Sequence, residues 1–428
     1  MITTLKDDSL SKKAKKLSEM LAAEGKPVET SEDWVRQLII YGAPGTGKSH
    51  KIDECTNEKN SIRVTFHPDT DYATFVGAYK PFVKEEIRYG LNGTNTVAMK
   101  VGGADLTEDK VSYKFVPQAF MKAYVEAWKR YTDAGAQGDA KTYYLVIEEI
   151  NRGNCAQIFG DLFQLLDRAD NGFSAYAITP DDDIRKFLEK DEEYKLADIP
   201  FAEDIKKTTE DGEKVIATAE DVKTGKKLVL PPNLCIWATM NTSDQSLFPI
   251  DSAFKRRWEW EYVPIEDAGK GWQIDVGGVK YKWWSFLEKI NAVIASETSS
   301  EDKQLGYFFV KAKDDVIDAK AFVSKVIFYL WGDVFKDNLP DEDVFKYTFK
   351  KDGKDDKRLI RFADFYHPEV TGPVDDKIKE QWRDKLLTSF LVALAVEKDT
   401  SAPNASGTPD ASGQGSANAD GGVAEAGE

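Results

Sequence analysis

The chain is 428 residues long, 41% apolar and 12% aromatic, with a formal charge of −16. Such a length admits two or three domains and a sizeable core, while the charge excludes a globally basic nucleic-acid-coating protein; any DNA contact has to be a local patch or a lined pore. Three scattered cysteines (Cys55, Cys155, Cys235) and three histidines exclude a disulfide framework and a His-rich metal centre.

In chain order, "SKKAKKLSEMLAAEG" predicts one short helix within residues 1–35, closed by Gly25 and Pro27. Strands are predicted at "QLIIY", "SIRVTF", "TYYLVIEE" and "NLCIWATM", with helices at 47–57, 117–131 and 154–168. Short β-branched runs separated by amphipathic helices predict an α/β domain over 36–265, a parallel sheet covered by helices on both faces. Two charged or Gly-rich stretches, 83–114 and 180–227, read as surface insertions, the second with a helix at "DDIRKFLEKDEEY". Residues 266–397 read as a mostly helical subdomain, with the aromatic-rich "KVIFYLWGDVF" as its core. The stretch 398–428 lacks large apolar side chains able to offset ordering entropy and is expected to be disordered. The N-terminus has no apolar segment behind its charges, and "FLVALAV" is too short to cross a bilayer. A cytoplasmic protein without membrane contact is expected.

Four stretches carry chemistry. Gly42-Ala43-Pro44-Gly45-Thr46-Gly47-Lys48-Ser49 matches G-x-x-x-x-G-K-[ST] in full, between an apolar strand and a helical run. Its glycines let backbone N–H groups turn around phosphates, Lys48 reaches the β/γ oxygens and Ser49 offers a hydroxyl to Mg²⁺. In "YYLVIEEI", Glu148 and Glu149 end a buried strand where sheet ligands bind; the pair suits a Mg²⁺-water ligand and a base that polarises water. A third strand ends at Asn241, an amide able to orient water or touch a γ-phosphate, or simply to make a turn. Lys255, Arg256 and Arg257 follow a short helical stretch beginning at Asp251. Guanidinium groups there would suit a finger toward phosphate, or a solvated face. His67 reads as a structural histidine.

With these residues in order, the sequence resembles the AAA+ NTPases, and within them the McrB family, the motor subunit of McrBC-type modification-dependent restriction systems. "GAPGTGKS", "FHPDTDYATFVGAYKP", "VIEEINRGNCAQIFGDLFQLLDR" and "MNTSDQSLFPIDSAFKRRWEW" carry the likeness across residues 36 to 265. The resemblance implies a P-loop AAA+ fold with a C-terminal helical lid. It implies that Gly42, Pro44, Gly45, Thr46, Gly47, Lys48 and Ser49 hold ATP or GTP, with Mg²⁺ on Ser49 and, partly through water, on Glu148. It further implies Glu149 as catalytic base, Asn241 as sensor with Asp244 in the signature loop, Arg256 and Arg257 as trans-acting fingers, and Asn151 and Arg152 at the subunit interface. A homo-oligomeric ring, hexameric in this family's manner, a separate McrC-like nuclease subunit, and DNA reached through the complex or pore are the implied partners. Three departures stand out: Glu148 replaces the usual Asp, Ser243 and Gln245 replace Ala and Arg, and residues 1–35 leave no room for the family's N-terminal DNA-reading domain. The rivals are a MoxR or dynein-related remodelling chaperone and a nucleotide-gated scaffold.

Overall fold

The computed structural model describes residues 35–135, 142–242, 248–298, 300–336, 339–351, 354–368 and 373–399. The helix expected before residue 35, nearly all of the tail beyond 398, and Ser243, Asp244 and Gln245 lie outside them.

The strands relevant to the site are β1 (Gln37–Gly42), β2 (Ser61–Thr65), β3 (Gly77–Ile87), β4 (Thr107–Pro117), β5 (Tyr143–Glu148), β6 (Leu234–Asn241) and β7 (Glu259–Tyr262). The helices are α1 (Lys48–Asp53), α2 (Ala119–Gly135), α3 (Cys155–Phe159) and α4 (Asp182–Lys190). Five strands form one sheet in the order β7-β1-β6-β5-β2, every neighbouring pair parallel. The four strands predicted from sequence are its four inner or edge members β1, β2, β5 and β6.

Strand alternation explains how both faces are filled. Ile39, Leu145, Ile147, Ile236 and Ala238 point into one core, shared with Tyr124 and Trp128 of α2. Their neighbours Leu38, Ile40, Tyr144, Val146, Cys235 and Trp237 point into the other, where Ile52 of α1 packs. Trp128 satisfies its buried indole N–H on the Val229 carbonyl at 3.1 Å. All three cysteines are free.

The two charged stretches behave differently from each other. Residues 83–114 do project: β3 and β4 pair antiparallel from Gly77↔Pro117 to Ile87↔Thr107 and lead into two short hairpins, Tyr89–Asn92 with Asn95–Ala98 and Lys100–Val101 with Ala104–Asp105. The stretch 180–227 is not merely a surface insertion. Ile184, Phe187 and Leu188 of α4, together with Ile205, Ile216 and Val222, join the core on the α2 face of the sheet. The charges that suggested exposure occupy the outer faces of these amphipathic elements.

Beyond residue 266 a second core forms around Trp283, Phe286, Phe322, Ile327, Leu330 and Phe390. Long helices span Trp283–Thr298 and Asp376–Ala393. Helices predominate, and short strands accompany them: Gln273–Val276, Val279–Lys282 and Val316–Asp318 form a small sheet, and Lys346–Lys351 pairs with Lys354–Leu359. Those strands are three to six residues long, too short for alternation such as that of QIDV to stand out, and Lys354–Leu359 is almost wholly charged. Among the described residues, no helix is long and apolar enough to cross a membrane.

Candidate nucleotide site

The loop between β1 and α1 is a backbone-built cradle. Gly45 adopts φ +79°, a conformation that disfavours side chains, and a Cβ there would lie 2.4 Å from the Phe309 nitrogen. Lys48 is 7% exposed and donates to the carbonyls of Gly42 at 3.1 Å and Ala43 at 2.8 Å. Burial pushes its ammonium down to about 8, against the opposing pull of Glu149 and Glu148. A triphosphate would replace two loop carbonyls with a stronger, charged acceptor.

Parallel register brings the remaining groups to the same sheet edge. Gly42 lies opposite Asn241, and Thr65 opposite Glu148. Ser49 Oγ donates to Glu148 Oε2 at 3.0 Å, and Thr239 Oγ1 donates to the same oxygen. Arg63 of β2 forms ion pairs with both Glu148 and Asp53. Two hydroxyls and a carboxylate within reach of one another are hard oxygen donors of the kind Mg²⁺ takes, so these residues fit that ion.

Glu149 stands just past the strand in the left-handed region, at φ 56°. A non-glycine residue held there stores about 1–3 kcal/mol of strain and is met most often at functional sites. Three contacts hold it. Its N–H donates to Thr239 Oγ1 at 3.2 Å, Asn241 Nδ2 donates to its Oε1, and the Arg152 guanidinium lies 3.5 Å from its Oε2. Asn151 is buried; its Nδ2 donates to the Asn241 carbonyl at 2.7 Å, and its own carbonyl accepts from Phe248 N–H at 3.0 Å. Asn151 therefore ties the Glu149 turn to the end of β6.

The two arginines after β6 part company. Arg257 has an 8% exposed side chain that donates to Asp167 Oδ2 and to the Ala253 carbonyl, each at 2.7 Å, and lies 3.9 Å over the Phe163 ring. Arg256 is exposed and makes no ion pair with a described residue. Asp244 lies outside the described residues. His67 is exposed rather than packed.

Sequence reasoning missed three contributors. Arg63, opposite Val146, and Thr239, opposite Ile40, sit on strands whose apolar neighbours drew attention away from them. The third is nonlocal. The segment around Gly306 from the C-terminal core lies on the phosphate loop, with Gly306 N–H donating to the Pro44 carbonyl at 2.9 Å and Phe308 N–H to the Gly45 carbonyl at 2.8 Å. No spacing within the loop announces that contact. Beside it, Tyr41, Ala43, Thr242, Tyr262, Glu301 and Asp302 line a cavity of about 310 Å³.

No family profile matches the chain. Among curated proteins, it is 35% identical over 344 residues to the type II restriction enzyme BsuMI component YdiS of Bacillus subtilis, covering 75% of this chain and 87% of that one. It is 23% identical over 239 residues to the type IV methyl-directed restriction enzyme EcoKMcrB subunit of Escherichia coli, covering 54% of this chain and only 35% of the relative. With these relatives, the phosphate loop and the parallel sheet that carries it, the chain belongs to the McrB-like AAA+ proteins.

Proposed function

We propose that the chain hydrolyses a nucleoside triphosphate and acts as the motor or switch of a restriction-type defence complex, with strand cleavage left to a separate nuclease subunit. The observation that carries the reading is the meeting of Lys48, Glu148, Glu149 and Asn241 at the C-terminal edge of one sheet. Both relatives named above are components of restriction enzymes, which supports the biological setting.

In this mechanism the loop N–H groups and Lys48 bind the β- and γ-phosphates. Ser49 and Glu148 would hold Mg²⁺, which when bound neutralises phosphate charge. Glu149 accepts a proton from the attacking water, and Asn241 fixes the carboxylate that does so. Thr239 orients Glu148 through its hydroxyl and Glu149 through its backbone. Arg256 of a neighbouring copy in a ring stabilises the departing γ-phosphoryl group, whereas Arg257 secures the element that presents it.

The test is steady-state hydrolysis of ATP and of GTP by the purified chain, alone, with DNA, and with the product of a nuclease gene adjacent to its own. Turnover raised by DNA and nuclease together supports the reading. Turnover raised by an unfolded protein client alone, or no turnover of either nucleotide, overturns it.

A further inference from the structure

Of the twenty large apolar side chains exposed among the described residues, ten lie between Tyr79 and Tyr113, on the β3–β4 ribbon and the hairpins at its tip. A free two-stranded ribbon is marginal in water, and so dense an apolar surface marks an interaction site.

The ribbon is sorted by face. Register places Pro81 opposite Tyr113 and Val83 opposite Val111, with Val83, Val111 and Tyr113 exposed by 64%, 63% and 64%. The alternate positions pair Lys80 with Lys114 and Lys84 with Lys110. Like charges directly opposite one another cost stability. Lys84 and Lys110 share Glu86 at 3.2 Å each, and Lys114 lies 5.3 Å from the centroid of the Phe82 ring.

The two edges are not equivalent. In an antiparallel ladder, successive residues turn their N–H groups alternately inward and outward. Pro81 has no N–H to give, so it belongs to the outward set, and it interrupts the free edge of β3 in the middle of its run. Strand β4 has no proline before its last residue, and its outward N–H groups fall on Asp109, Val111 and Tyr113. That edge is open. A strand laid along it would continue both faces, meeting Val111 and Tyr113, with Asp109 beyond them, on one, and Lys110 and Lys114, with Ser112 between them and Glu108 beyond, on the other.

We propose that the outer edge of β4 receives an added strand from a partner polypeptide whose residues alternate between apolar and acidic. Charge selects this occupant. A second copy of β4 paired antiparallel about Ser112 would bring Lys110 against Lys114, the kind of contact by which edge lysines discourage self-pairing. Nucleic acid would satisfy the lysines but leave the apolar face and the edge amides in water. Strand addition satisfies all three at once.

The full chain is titrated by fluorescence anisotropy with a labelled peptide as long as β4, 11 residues, alternating valine and glutamate, and with its valine–lysine counterpart. The acidic peptide binds tighter by about tenfold or more. Val111→Pro removes one outward N–H without touching the β3 ladder and weakens binding by about tenfold. Lys110→Glu with Lys114→Glu inverts the preference toward the lysine peptide, an outcome only a folded ribbon gives. Lys48→Ala leaves peptide binding unchanged, which separates this site from the nucleotide reading. Equal affinity for both peptides, no binding of either, self-association through the ribbon, or displacement of the acidic peptide by duplex DNA with no effect of Val111→Pro overturns the proposal.

Discussion

Glu149 is the residue where stability and activity should move in opposite directions. Its left-handed φ of 56° is maintained by Thr239, Asn241 and Arg152. Glu149→Gly releases that strain and should raise the unfolding free energy by about 1 kcal/mol while abolishing turnover; thermal unfolding and hydrolysis, measured on the same sample, check both signs. Glu149→Gln keeps an oxygen for Asn241 but cannot take a proton from water, so turnover should fall by about 100-fold or more with nucleotide binding retained. Lys48 makes a pH prediction. Its ammonium, lowered by burial to about 8, is regained when a phosphate binds, because the anion favours the charged form. Below the free-state value both states carry the proton and affinity is flat. Above it binding must take up a proton, so affinity should drop by about tenfold per pH unit. Nucleotide titrations on both sides of that value test it, and a flat profile well above it would show that Lys48 does not meet the phosphates.

At the scale of elements, the contact between the Gly306 segment and the phosphate loop is as much a part of the site as the loop itself. It pins the Pro44 and Gly45 carbonyls outward, and a Cβ on Gly306 would lie 2.3 Å from the Gly45 carbonyl carbon. Gly306→Ala forces backbone apart from backbone, an overpacking of about 1–3 kcal/mol, and should weaken nucleotide binding by about tenfold. Binding unchanged by this substitution would show that the segment rests on the loop without shaping it. This element also marks where the sequence stops being legible. Strands β1, β5 and β6 could be read because buried parallel strands are continuous apolar runs, and the loop because its glycines and lysine are fixed by phosphate geometry. The Gly306 contact joins positions more than 250 residues apart in the chain, near Gly45, and no local pattern encodes it. Charge misled in 180–227, since amphipathic elements bury one face whatever their net charge, and short charged strands such as Lys354–Leu359 carry no alternation to read.

For the whole molecule, Arg257 belongs to the fold, whereas Arg256 is the arginine proposed to act between copies. Arg257 is sealed by Asp167, the Ala253 carbonyl and the Phe163 ring. Arg257→Ala leaves the half-buried Asp167 carboxylate without its partner and should cost about 2 kcal/mol of stability, read as a lowered denaturation midpoint. Arg256 is exposed, so Arg256→Ala should leave that midpoint in place. If its guanidinium serves the nucleotide of an adjacent copy, its loss should reduce turnover by about 1000-fold, the low end of what a transition-state arginine contributes. A Lys48→Ala chain lacks a working loop yet still offers Arg256; an Arg256→Ala chain has the loop and lacks the finger. Mixed in equal amounts, the two should recover turnover that neither shows alone, because one interface in the assembly then combines an intact loop with an intact arginine. Turnover that stays at the level of the separate variants, with mixed assemblies verified by size, would place Arg256 outside the reaction and leave the loop to act within a single chain.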